Sequence, residues 1–129
     1  MLNTWLAFEV EAAAEAAALA EQLGIDGDVL SDALAGSPLI SPFAAAKLTK
    51  MQAEDDRPDF SLGWALKDLE LTASTEGSGP LPVAAAIVRR WRRLAGDGLA
   101  DRDVSAARID LRGARRVGGP LGRGCGDVS

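Results

Sequence analysis

Apolar residues recur along most of the chain at the spacing of an amphipathic helix, and no segment has the pattern of a sheet. The longest helical segment covers residues 3–23, where glutamates are set among alanines and strong helix formers are almost uninterrupted. Gly24 follows, as expected for a left-handed position that ends a helix. The larger apolar side chains predicted to anchor this helix are Trp5, Leu6, Val10 and Leu19.

Start and stop signals divide the rest of the chain into five shorter helices, predicted at about 28–35, 42–53, 61–75, 82–95 and from 103 onward. The residues that mark their starts cap a first turn with an oxygen or occupy it as proline: Asp26, Ser41 with Pro42, Ser61, Pro82 and Asp103. Gly36 is predicted to stop the second helix. The apolar faces expected to be buried are Val29, Leu30, Ala33 and Leu34; Leu62, Ala65, Leu66, Leu69 and Ala73; and Val83, Ile87, Val88, Trp91 and Leu94.

These patterns predict an all-α fold, a single helical bundle of about six helices around the long N-terminal helix. The bundle is expected to occupy residues 1–112. Residues 113–129 include six glycines and almost no periodicity, so we predict a disordered Gly/Arg-rich tail there.

Composition supports one domain with its own core, since 47% of the 129 residues are hydrophobic. No stretch of about 18 apolar residues suggests a membrane span, and a secretory signal pattern is lacking. The single cysteine, Cys125, has no partner for a disulfide. We therefore expect a cytoplasmic protein that does not act at a membrane.

Charge is unevenly distributed, because residues 1–88 carry 14 acidic and 4 basic residues, whereas residues 89–129 carry 10 arginines and 5 aspartates. Arg89, Arg90, Arg92 and Arg93 form a basic cluster that could contact phosphates. The last turns of a helix also favour solvated cations, and no nucleic-acid motif accompanies the cluster. The second interpretation is preferred, so no nucleic-acid partner is predicted.

The chain contains no histidine, which excludes Ser–His and Cys–His catalytic pairs. Glu11 and Glu15, four residues apart, are the nearest candidates for metal ligands. Carboxylates at this spacing are more often found on solvated helix faces, so no metal is predicted.

Three stretches together resemble the β-hydroxyacid dehydrogenase family, whose members are 3-hydroxyisobutyrate dehydrogenase-like and related to 6-phosphogluconate dehydrogenase. Residues 3–16 resemble its long interdomain helix. Residues 58–71, with Lys67, Asp68 and Leu69, resemble its cofactor-side motif, and residues 98–106 its closing acidic and serine motif. Order and spacing agree over residues 2–108, which identifies the chain with the family's helical C-terminal domain.

The resemblance implies an NAD(P)-dependent oxidoreductase that acts on a β-hydroxyacid or a related small carbonyl compound. In the family a Rossmann domain holds NAD or NADP, and the helical domain closes the active site and forms much of a homodimer. The family's catalytic lysine would lie four residues before Asn3, and so just before Met1. This lysine and the Gly-x-Gly-x-x-Gly turn are missing here, so the isolated chain is expected to be inactive.

Three residues inherit roles from this resemblance. Asn3 matches the substrate-orienting amide at the catalytic centre, Lys67 matches the cofactor-side lysine, and Phe60 is expected to wall the nicotinamide pocket. Each also has a structural interpretation: Asn3 as a helix N-cap, Lys67 as a surface lysine paired with Glu70, and Phe60 as a hydrophobic staple. The alternative for the whole chain is a free-standing helical dimerisation or regulatory module without catalysis.

Overall fold

The computed structural model describes residues 2–73 and 81–111, and within these ranges the regular structure is helical, without a β-strand. The five α-helices are α1 (Leu2–Gln22), α2 (Gly27–Ala35), α3 (Pro42–Gln52), α4 (Leu62–Ala73) and α5 (Pro82–Leu94). A π-helical turn (Ala95–Leu99) and a 3₁₀ helix (Val104–Arg108) follow. The predicted all-α class is confirmed. The predicted end of the fourth helix at Thr75, the tail at 113–129 and Cys125 lie outside the described residues.

The long N-terminal helix is the centre of the bundle, because α1 contacts α2, α3, α4, α5 and the 3₁₀ helix. Its inner face consists mainly of alanines, such as Ala7 and Ala14, both fully buried. Small side chains let neighbouring helices approach α1 closely, and α4 and α5 supply the bulk of the core. The buried residues of α4 and α5 are Leu62, Ala65, Leu66, Leu69, Ala84, Ile87, Val88, Trp91 and Leu94.

The predicted capping residues lie at the starts of helices, as the sequence indicated. Ser41 Oγ accepts the Ala44 N–H at 3.0 Å, Ser61 Oγ accepts the Trp64 N–H at 3.3 Å, and Asp103 accepts the Ser105 N–H at 3.0 Å. Asp26 caps α2, Pro42 and Pro82 occupy first turns, and Gly24 has a φ of +74° after α1. Local chemistry therefore sets most of the helix boundaries.

Several expected core residues are exposed. The exposed fraction is 64% for Trp5 and 55% for Leu19, because Ala7, Val10 and Ala14 define the buried face of α1 and both larger residues lie on its other side. Val83, ahead of the packed part of α5, is also exposed. In α2 no side chain is fully buried; Leu30 and Leu34 are half-buried, whereas Val29 and Ala33 face solvent. The prediction of a buried position was therefore wrong for the exposed residues, which are Trp5, Leu19, Val29, Ala33 and Val83.

The segment between α5 and the 3₁₀ helix was not predicted as helical. The chain continues from α5 into the π-helical turn, which contains Gly98 with a φ of +98°. The following residues then run antiparallel to the start of α4: the Leu62 N–H donates to Arg102 O and the Gly63 N–H to Ala100 O, both at 2.8 Å. A Cβ on residue 63 would lie 3.0 Å from Ala100 O, so this close approach favours glycine.

None of the helices in residues 2–73 and 81–111 combines the length and apolar character that a membrane crossing requires.

Replacing Trp91 with phenylalanine should destabilise the fold. Trp91 is fully buried, and its indole N–H donates to Glu11 Oε1 at 2.9 Å. The smaller ring leaves a cavity and removes this hydrogen bond, so the free energy of unfolding should fall by roughly 1–3 kcal/mol in urea denaturation. Trp5→Phe is the matched control, because Trp5 is exposed, and it should change stability by less than about 0.5 kcal/mol. Equal losses in both variants would contradict the burial described here.

Candidate functional site

The first turn of α1 and the middle of α4 meet through two polar side chains. Asn3 Nδ2 donates a hydrogen bond to Asp68 Oδ2 in a partly buried contact. Asn3 lies inside α1, which begins at Leu2, so it is not the N-cap residue of its own helix. Its side chain instead connects α1 to α4. The contact brings the predicted catalytic amide beside the predicted cofactor-side motif. From the sequence, Asp68 was identified only as part of the cofactor-side motif, without a role of its own.

Lys67 is exposed next to this contact. Its ammonium nitrogen lies 5.3 Å from the centroid of the Trp64 ring, within the range of a cation–π interaction. The expected pairing of Lys67 with Glu70 is not found, because Glu70 accepts from Arg92 Nε instead. Among the residues that the structure describes, no carboxylate is paired with Lys67, so its charge faces solvent beside Asp68.

Phe60 is half-buried and packs against the core immediately before the Ser61 cap. Trp64 and Lys67 lie three residues apart on one side of α4, whereas Phe60 precedes the helix and its cap. We refer to Asn3, Trp64, Lys67 and Asp68 together as the α1–α4 seam. Two of the predicted site residues, Asn3 and Lys67, belong to it, and the packing of Phe60 before Ser61 fits the hydrophobic-staple interpretation.

A buried ion pair lies behind this seam. The Asp103 carboxylate is fully buried and accepts from Lys47 Nζ at 3.0 and 3.1 Å. Its Oδ1 also accepts the N–H groups of Asp59 at 2.9 Å and Phe60 at 3.1 Å. Burial raises the pKa of Asp103, but the hydrogen bonds from the Ser105 and Phe60 amides and from Lys47 together hold it below its usual value. The carboxylate is therefore charged at neutral pH.

Sequence reasoning missed the role of Lys47, although a signal was present. Lys47 falls at helical spacing with Ala44, Leu48 and Met51, all of which are buried. A lysine in an apolar stripe needs a partner, since buried charges are rarely left unpaired. The partner, Asp103, lies 56 residues away and could not be identified from spacing.

Further along α1, Glu11 joins the helix to α5. Glu11 is buried; its two oxygens accept from Arg90 Nε at 2.8 Å and Nη2 at 3.0 Å, and from the Trp91 indole. The solvated interpretation of the arginine cluster is thus wrong for Arg90, which also pairs with Asp110 at 3.3 Å. Arg92 and Arg93 are more exposed but are ion-paired as well.

Both oxygens of the Glu11 carboxylate thus accept hydrogen bonds from protein donors. In residues 2–73 and 81–111, no group of three or more metal-binding side chains lies together.

The start of α4 is a natural place to look for an anion site, because helix N-termini bind phosphates. Here the N–H groups of Leu62 and Gly63 donate to backbone carbonyls, and that of Trp64 donates to Ser61 Oγ. The described residues therefore offer no cradle for a dinucleotide pyrophosphate at this end. What the seam does offer is an exposed cation, an aromatic face and an oriented amide.

The described helices form an all-α domain, in which Asn3 and Lys67 lie on two helices, α1 and α4, that pack together. A family model described as the NAD-binding domain of NADP-dependent 3-hydroxyisobutyrate dehydrogenase matches residues 1–109. The chain belongs to this family, which confirms the resemblance seen in the sequence.

Solved structures of the family share the fold. A 3-hydroxyisobutyrate dehydrogenase of Salmonella typhimurium superposes with a TM-score of 0.77 at 27% identity, covering 84% of this chain and 39% of that one. The 3-hydroxyisobutyrate dehydrogenase of Mycobacterium tuberculosis, in a structure with L-serine, gives 0.74 at 28% identity, covering 85% and 40%. An uncharacterized oxidoreductase of Synechocystis is 42% identical over 72 residues, which is 55% of this chain and 24% of the relative. The chain thus spans well under half the length of each.

Glu15 provides a test of the charge network on α1. A hydrogen bond to Glu11, then burial and the charge of Glu11, raise the pKa of Glu15 from 4.5 to about 7. A carboxyl whose pKa is raised on folding contributes stability below pH 4.5 that is lost as the pH rises to about 7. In urea denaturation across this window, Glu15→Gln should show a smaller fall in unfolding free energy than the wild type. Equal slopes, or a carboxyl titration by NMR near pH 4.5, would contradict the contact.

Proposed function

We propose that this chain is the helical domain that completes the active site of an NAD(P)-dependent oxidoreductase acting on a β-hydroxyacid or a related small carbonyl compound. A dinucleotide-binding Rossmann domain, in the same polypeptide or in a partner, supplies the cofactor. The observation that carries the proposal is the meeting of Asn3, Lys67 and Asp68 at one seam of a domain that belongs to the 3-hydroxyisobutyrate dehydrogenase family.

Asn3 orients the substrate in this proposal. Its Nδ2 is directed at Asp68, which leaves the amide oxygen to accept a hydrogen bond from a substrate hydroxyl. Because a carboxylate accepts hydrogen bonds and does not donate them, its contact with Asn3 selects one orientation of the amide. Asp68 therefore positions Asn3, while the substrate itself is held by the amide oxygen.

Lys67 supplies positive charge at the nicotinamide end. It is exposed beside Trp64, and an ammonium there stabilises negative charge on a bound cofactor or substrate carboxylate. NAD or NADP, when bound, accepts or gives the hydride. The chain has no histidine, and the lysine that the family resemblance puts four residues before Asn3 would take the hydroxyl proton, so activity requires a polypeptide that provides it.

Exposed apolar side chains next to the seam support docking of a second domain. Leu2, Trp5, Trp64 and Leu71 are between 59% and 80% exposed, and each lies within about one helical turn of Asn3 or Asp68 along its helix. Apolar side chains grouped in this way are typical of interfaces. The Rossmann domain is proposed to cover them, which would close the seam to water.

A second group of exposed apolar residues lies at the other end of α1. Leu19, Leu23, Ile25 and Val29 are 42% to 65% exposed around the turn into α2. This end is proposed as the homodimer interface. It also favours the second candidate function, a free-standing dimerisation module, which would use the same residues without a cofactor.

The proposal is tested by joining the chain to the Rossmann domain of a 3-hydroxyisobutyrate dehydrogenase, including its catalytic lysine. The joined protein should reduce NADP when given a small β-hydroxyacid, and it should oxidise NADPH when given the corresponding carbonyl compound. Lys67→Ala should lower kcat/KM by roughly 10- to 100-fold, because it removes a charged contact. Arg89→Ala removes an exposed cation outside the seam and should leave activity unchanged. A well-folded joined protein without turnover would overturn the proposal and favour the dimerisation module.

A further inference from the structure

We propose that Lys47 and Asp103 are positioning residues for this oxidoreductase: their buried ion pair fixes the turn at residues 58–61 and so determines where Phe60 and Lys67 meet the cofactor. The inference rests on the proposed function. Neither side chain contacts Asn3, Lys67 or Asp68 in the contacts described above, so any effect on the reaction acts through the turn.

The Asp103 carboxylate joins two backbone segments. Oδ1 accepts from the amides of Asp59 and Phe60, and Oδ2 accepts from the amide of Ser105 at the start of the 3₁₀ helix. Lys47 donates to both oxygens. Rotation of the carboxylate away from the turn would therefore leave a buried ammonium without its main counter-charge.

Asp103 is the main counter-charge of Lys47. The lysine is only 4% exposed, and its other acidic neighbour, Asp59 at 3.6 Å, has a side chain that is 73% exposed to solvent. The ring of Phe43, 5.5 Å from the ammonium nitrogen, closes a further side. Because a buried charge without a partner is strongly unfavourable, the pair holds the turn more firmly than the amide hydrogen bonds would alone.

The turn is connected rigidly to α4. Val104 N–H donates to Phe60 O at 2.9 Å, and the N–H groups of Leu62 and Gly63 donate to the same returning segment. Lys67 lies five residues into the helix, about 7.5 Å along its axis from Leu62. A displacement of the turn therefore moves Lys67 and Asp68 together, and with them the contact to Asn3.

The first test uses the chain itself and amide hydrogen exchange by NMR. Lys47→Met removes the charge at similar side-chain length, so the amides of Asp59 and Phe60 should exchange about tenfold faster relative to core amides of α1. Arg90→Met is the matched control, since it breaks a largely buried ion pair with Glu11 that does not contact residues 58–63. It should leave the relative exchange of these two amides unchanged. Equal exchange at Asp59 and Phe60 in the wild type and in Lys47→Met would overturn the proposal.

The second test measures cofactor use in the joined enzyme, at a temperature where every variant is folded. Lys47→Met should raise the KM for NADP by about tenfold. Lys47→Arg keeps the charge, so its KM should be close to the wild-type value, and Arg90→Met should leave the KM unchanged. The same KM change in Lys47→Met and Arg90→Met would mean that the pair only stabilises the fold, and the positioning role would be wrong. If the wild-type joined enzyme has no turnover, the proposed function fails, and the amide-exchange result alone decides whether the pair positions the turn.

Discussion

The described structure depends on a lysine and an aspartate that are buried together. Lys47 lies in α3, and Asp103 precedes the 3₁₀ helix. The Asp103 carboxylate also accepts the backbone N–H groups of Asp59 and Phe60, in the turn that precedes α4. Burying two charges costs desolvation energy that is offset only when the geometry is good and the remaining donors and acceptors are paired. Here five donor contacts reach one carboxylate. The result is a fixed junction between three segments that are distant in sequence.

A second buried carboxylate, that of Glu11, joins α1 to α5. Glu11 accepts hydrogen bonds from Arg90 and Trp91 of α5, and its ion pair with Arg90 connects the central helix to α5. Against α4, the central helix packs through its alanines. Small side chains permit close packing but give little directional preference, whereas hydrogen-bonded charges require a particular alignment. We infer that the alanine-rich interior lets the helices pack closely and that the two buried carboxylates fix how the helices are aligned. The position of the seam that carries Asn3 and Lys67 follows from that alignment.

Much of the fold follows from local signals in the sequence. Caps such as Ser41 and Asp103 act on neighbouring backbone atoms, so their positions alone predicted where helices begin. The buried side of α1 was misjudged because size suggested Trp5 and Leu19 as anchors, while the smaller Ala7 and Ala14 face the core. For the candidate site, Asn3, Phe60 and Lys67 were predicted from the family resemblance alone. The roles of Asp68 and Lys47 depend on partners 65 and 56 residues away, which no spacing rule reveals.

In the proposed function, the α1–α4 seam faces the cofactor-bearing domain. An NMR titration of the ¹⁵N-labelled chain with an unlabelled Rossmann domain of a 3-hydroxyisobutyrate dehydrogenase, loaded with NADP, tests this arrangement. We expect the largest shift changes at the Asn3 side-chain amide and in the backbone amides from Trp64 to Asp68, with little change around Leu23 and Val29. Changes confined to the turn between α1 and α2, or a spectrum unaffected by the loaded domain, would contradict it.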